Sequence, residues 1–211
     1  MKIFNLKYQI IVKVLFVIIF LLTTPAKSLD KFDKADRVSN YFSGVLLLNE
    51  NQYEESLGYL KKLSGLEASH LNYSIKYLYS LINSGNFKEA FNYSKSLEKQ
   101  KLDNFESQLI IGIYHLKNSN SDLAKKYFLR AQERDSRFIL NNYISNSLYN
   151  WSNLSNLNQA KNELEGLNER FKNLKKIQNV FLNCYFVSPK TENLFLEITL
   201  DQNTDFSRYN Y

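Results

Sequence analysis

Apolar and polar positions between Arg37 and Phe138 run through one pattern three times. Gly44, Leu78 and Gly112 are spaced by 34 residues (78 − 44 and 112 − 78), and the same step relates Ser56, Ala90 and Ala124, and Leu63, Leu97 and Ala131. Larger residues keep the step: Tyr41, Ile75 and Leu109; Leu48, Ile82 and Leu116; Tyr59, Tyr93 and Tyr127; Tyr53 and Phe87. A fixed period over three units marks a repeat array. Each unit, 37–70, 71–104 and 105–138, holds two apolar runs of helical period separated by a polar break. The breaks, 49–51, 83–86 and 117–120, are rich in Asn, Ser and Gly, which leave a helix easily. Each unit is therefore predicted to be a helical hairpin. Small residues at its eighth and twentieth positions (Gly44 and Ser56, Gly112 and Ala124, with Leu78 opposite Ala90 in the middle unit) let the helices approach.

Gly44, Leu47, Tyr53, Ser56, Leu60 and Leu63, then Leu78, Leu81, Phe87, Ala90 and Leu97, then Gly112, Ala124, Phe128 and Ala131 form a pattern that resembles the tetratricopeptide repeat. Departures are Leu78 for a small residue, Ser94 for a large one, Ser121 for the turn aromatic, and units that do not end in Pro. A fourth unit, 141–174, follows a two-residue insertion and places Leu148, Trp151, Leu157, Ala160, Leu164 and Leu167 in register. The resemblance covers 37–174 and implies an all-α fold, an α-solenoid wound as a right-handed superhelix of helical hairpins. Residues 29–36 are expected to be a charged linker or a fraying first turn, and 175–211 further helices at an incomplete end of the array. Leu174, Ile177, Phe181, Leu182 and Tyr185 are expected on one side of a helix over 172–187, and Leu194, Phe195 and Ile198 inward on the next. Asp205-Phe206-Ser207-Arg208 reads as the opening of one more repeat helix.

Residues 1–28 change the picture of charge and compartment. Lys2, Lys7 and Lys13 precede an apolar run from Val14 to Leu22 and then Thr24-Pro25-Ala26, the layout of a secretory signal peptide. The expected location is the periplasm, with an uncleaved inner-membrane anchor through the N-terminus as the alternative. Cleavage after Ala26 leaves 24 basic against 21 acidic residues, a net of +3 in place of the formal +6 of the 211-residue chain. Lysines are interleaved with acids, so nucleic acid is excluded as a partner. Cys184 is the only cysteine, which rules out a disulfide within the chain, and it reads as a buried small hydrophobe.

Candidate chemistry is thin. His70 and His115 are the only histidines, and HExxH, GxSxG and phosphate-cradling glycine motifs are absent. His115 stands where the other units have Leu47, Leu81 and Trp151, so a packed role is expected; His70 falls at a junction between units. No catalytic residue, metal ligand, cofactor or small-molecule substrate is assigned. The resemblance instead implies a peptide-binding groove lined by the first helix of each unit: Tyr41, Val45, Leu48 and Asn49; Ile75, Tyr79, Ile82 and Asn83; Leu109, Ile113, Leu116 and Lys117; Ser145, Tyr149, Ser152 and Asn153. This groove is aromatic and aliphatic with a ladder of amides. Tyr41 and Val45 stand where carboxylate-clamp relatives carry Lys and Asn, so that clamp is not expected.

The expected function is a non-enzymatic scaffold of the bacterial envelope that binds a protein or peptide. The alternative is an accessory or assembly domain of an envelope enzyme complex whose catalytic part lies outside this chain.

Overall fold

The computed structural model describes residues 28–134 and 138–200. The signal-like segment 1–27 and the stretch 205–208 lie outside them. Ten α-helices and no strand occur among the described residues. The helices are α1 (Ser28–Asn49), α2 (Tyr53–Leu60), α3 (Leu71–Asn83), α4 (Phe87–Lys99), α5 (Phe105–Lys117), α6 (Ser121–Arg134), α7 (Ile139–Trp151), α8 (Leu157–Glu165), α9 (Lys172–Tyr185) and α10 (Thr191–Leu200). The chain divides into two compact units at the Ser64–Gly65 boundary.

The first unit is the hairpin of α1 and α2. Its first helix begins at Ser28, so 29–36 is helical where a linker or fraying turn is expected from sequence; no Pro or Gly lies between Ser28 and Gly44. Gly44 is buried, and a Cβ added there would lie 2.8 Å from the Leu60 side chain. Ser56, fully buried, donates its hydroxyl to the Gly44 carbonyl at 2.8 Å.

In the second unit α3 packs on α4, α4 on α5, α5 on α6 and so on to α10, and α3 also meets α5. This is hairpin stacking. The first three hairpins close identically, because Asn51, Gly85 and Ser119, again 34 residues apart, sit at φ of 62°, 76° and 59°. Around each, the residue itself donates to the carbonyl three back (Leu48, Ile82, Leu116). The next amide donates to the carbonyl five back (Leu47, Leu81, His115) at 2.8–2.9 Å. This double closure satisfies carbonyls that a helix end leaves open. Asn104 and Ser107 form a reciprocal capping box at the start of α5, and the Asn104 amide also donates to Ser74 Oγ on α3 at 3.1 Å.

The core follows the repeat: Leu78, Leu81, Ala90, Leu97, Ile111, Ala124, Phe128 and Ala131 are at most 1% exposed, and Gly112 is buried against Phe128. Ala160, Leu164 and Leu182 form a further cluster packed by Trp151, Leu154 and Phe186. The carboxy-terminal helices differ from the sequence expectation. Helix α9 buries Val180, Leu182 and Asn183, whereas Leu174, Phe181 and Tyr185 are exposed, as is Phe195 on α10. Cys184 is exposed too, not buried, because the side of α9 turned inward is the one carrying Val180 and Asn183.

Candidate functional site

The first helices of the hairpins carry the predicted lining positions. Tyr41 and Val45 are half-buried and Asn49 is exposed on α1; Leu48 is buried. In the second unit, Ile75, Tyr79 and Asn83 occupy successive turns of α3, and Leu109, Ile113 and Lys117 those of α5, the helix that packs beside it. Tyr79 is 49% and Ile113 46% exposed, while Ile75, Ile82, Leu109 and Leu116 are half-buried beside them. An aromatic and aliphatic face therefore spans two packed helices.

Its amide ladder is weaker than the sequence suggests. Asn83 donates its amide to the Tyr79 carbonyl of its own helix at 2.8 Å. Tyr149 on α7 and Asn153 just past its end are half-buried, but Ser145 on α7 and Ser152 at its C-cap are 1% and 5% exposed, so neither lines an open surface. Their hydroxyls bond to carbonyls of α7, Ser145 to that of Asn141 at 3.0 Å and Ser152 to that of Tyr149 at 2.6 Å, which offsets the cost of burying these small polar residues.

Three features were not anticipated from sequence. Lys95, Glu98, Tyr127 and Arg130 form a network between α4 and α6, with Arg130 donating to Glu98 at 2.6 Å and Lys95 to the Tyr127 hydroxyl at 2.9 Å. Arg134 is clasped to Asp103 at 2.8 Å. A cavity between α7 and α8 is rich in amides, and Asn142, Asn146 and Asn150 at a four-residue spacing were its legible signal.

His115 is packed among rings: stacked on Tyr127 at 5.5 Å and edge-on to Phe91 and Tyr114, each at 6.0 Å. Burial, and secondly the Lys95 charge, hold its pKa below the ordinary histidine value of 6.5. The unfolded chain then takes up the proton more readily than the folded one. Stability is full above that ordinary value and is lost as the pH falls through it. Melting temperatures should fall between about pH 7.5 and 5.5, a window in which carboxylates stay ionised. His115→Leu, the residue found at two equivalent positions, should flatten that dependence; an unchanged pH profile would show that His115 does not report on folding.

No family model matches the sequence, nor does any curated protein. Solved structures do. MamA matches with a TM-score of 0.53 at 13% identity over 83% of this chain and 97% of that one. A MamA mutant gives 0.52 at 14% over the same shares. YrrB, described as a TPR protein with an unusual peptide-binding site, gives 0.54 at 14% identity over 86% of this chain and 94% of its own. The fold is that of the tetratricopeptide repeat proteins. At such identities the likeness speaks for the hairpin stack and its order, and the individual lining residues rest on the geometry above.

Proposed function

We propose that this tetratricopeptide-fold protein is a non-catalytic scaffold that binds a peptide segment of another protein on the face of α3 and α5. The observation that carries the reading is the exposure of Tyr79 and Ile113 on adjacent packed helices, flanked by half-buried aliphatic residues. Aromatic and aliphatic anchors of this kind carry most of the energy of an interface, and rim charges contribute little. The peptide-binding site of YrrB, a protein with the same fold, supports a peptide as the ligand class. Tyr41, Val45 and Asn49 offer the equivalent positions on α1.

Replacing Tyr79 and Ile113 together by Ala should weaken capture of the partner by about 2 kcal/mol or more. Lys117→Ala and raised salt should have small effects. Pull-down from an envelope extract, with helix content checked by circular dichroism, tests this. Full capture by a folded double variant, or capture abolished by moderate salt, would move the binding surface elsewhere.

The proposed setting is the bacterial envelope, on the strength of the charged, apolar and small-residue order of 1–28. Intact-mass spectrometry of protein expressed with its native start should find the first 26 to 28 residues removed, and an intact start in the membrane fraction would favour the anchored form.

A further inference from the structure

We infer that the cavity of about 570 Å³ between α7 and the end of α8 is a binding site for a neutral saccharide. Asn142, Asn146 and Asn150 line one wall on successive turns, about 6 Å apart along the helix. Glu163 and Asn168 stand on the opposite wall.

Neighbouring bonds fix which way these groups point. Gln132 donates to Asn142 Oδ1 at 3.0 Å and Asn146 Nδ2 donates to the same oxygen, so the Asn142 amino group and Asn146 Oδ1 are unspent. Asn150 uses its Nδ2 on the Glu163 carbonyl at 3.4 Å, which leaves its Oδ1. Asn168 Oδ1 accepts from the Arg170 amide at 3.0 Å, which leaves its amino group. Gln159 donates to Glu163 Oε1 at 2.8 Å, while Glu163 Oε2 is buried with no hydrogen-bond partner. A buried carboxylate oxygen without a donor is costly, and it calls for a ligand that supplies one.

The cavity thus offers donors on Asn142 and Asn168 and acceptors on Asn146, Asn150 and Glu163. Among the described residues no cationic side chain lines it, and the one charge an anion would meet there is that of Glu163. An apolar ligand would strip water from five polar groups without replacing their bonds. An organic cation would satisfy the acceptors and waste the donors. A sugar hydroxyl donates and accepts at once, matching the mixed lining, and Ile139 and Leu167 give the ring an aliphatic edge. The size lies within the range of small-ligand pockets, about 300–1,000 Å³. None of these residues belongs to the α3–α5 face.

The test is saturation-transfer NMR on the full chain with maltose, cellobiose, N,N′-diacetylchitobiose and, separately, spermidine. At least one disaccharide should bind. Because Gln159 holds one oxygen of Glu163, Glu163→Gln would turn the free acceptor into a donor and should weaken that binding about tenfold or more. Asn146→Leu should do the same, with circular dichroism reporting that both variants keep their helix content. Silence from all three disaccharides, binding of spermidine alone, or disaccharide binding untouched by either folded variant would overturn the inference.

Discussion

Ala90→Arg should unfold the second hairpin. Ala90 is 1% exposed, where α3 and α4 pack, and it shares its register with Ser56 and Ala124, both 0% exposed. A guanidinium there would enter the buried layer of α3 and α4, which includes Leu78, Leu81 and Leu97. The adjacent Glu89 carboxylate already accepts the hydroxyl of Tyr77, a buried residue of α3, at 3.4 Å. An unpaired buried charge combined with overpacking costs on the order of 4 kcal/mol or more. Ser56→Ala, at the same repeat position, removes only the 2.8 Å bond to Gly44 and should cost about 1 kcal/mol, since the Gly44 carbonyl keeps its place in the helix. Urea melts of the two variants give the comparison. Equal losses would mean that position twenty of the unit is not the close helix contact.

Much of the fold was legible because a repeat states its contacts locally. The positive-φ closures at 51, 85 and 119 sit in breaks already marked by Asn, Ser and Gly, and each depends only on residues within one helix turn of it. Burial of Ala124 and Ala131 follows from the 3.6-residue period in the same way. What was not legible depends on which neighbour a helix meets. Leu174, Phe181 and Tyr185 on α9 have the spacing of a buried face, yet α8 packs on Leu182 and α10 lies on the side of Val180, which leaves those three exposed. Ser145 and Ser152 look like surface residues by type, and their hydroxyls instead bond to their own helix. Glu163 carried no signal at all, because its buried oxygen depends on how the end of α8 closes over α7.

Exchanging the sizes of residues 112 and 128 should recover most of what each single change loses. A Cβ built on Gly112 would lie 2.5 Å from the ring of Phe128, which is fully buried, so the pair is a small residue beneath a large one. Gly44 beneath Leu60 repeats the arrangement. In the middle hairpin the same two positions hold Leu78 and Ser94, 1% and 0% exposed: the large residue has changed helices. The two departures from the repeat pattern are therefore one compensated exchange. Gly112→Leu alone drives an isobutyl group into the ring, and Phe128→Ser alone opens a cavity and buries a hydroxyl; each should cost about 3–5 kcal/mol. The double variant reproduces the Leu78–Ser94 pair and should lose less than the sum by about 2–3 kcal/mol, the upper range for residues in contact. A double-mutant cycle from urea melts measures this coupling directly. Strict additivity would show that the middle hairpin tolerates Leu78 by some other adjustment of α3 against α4.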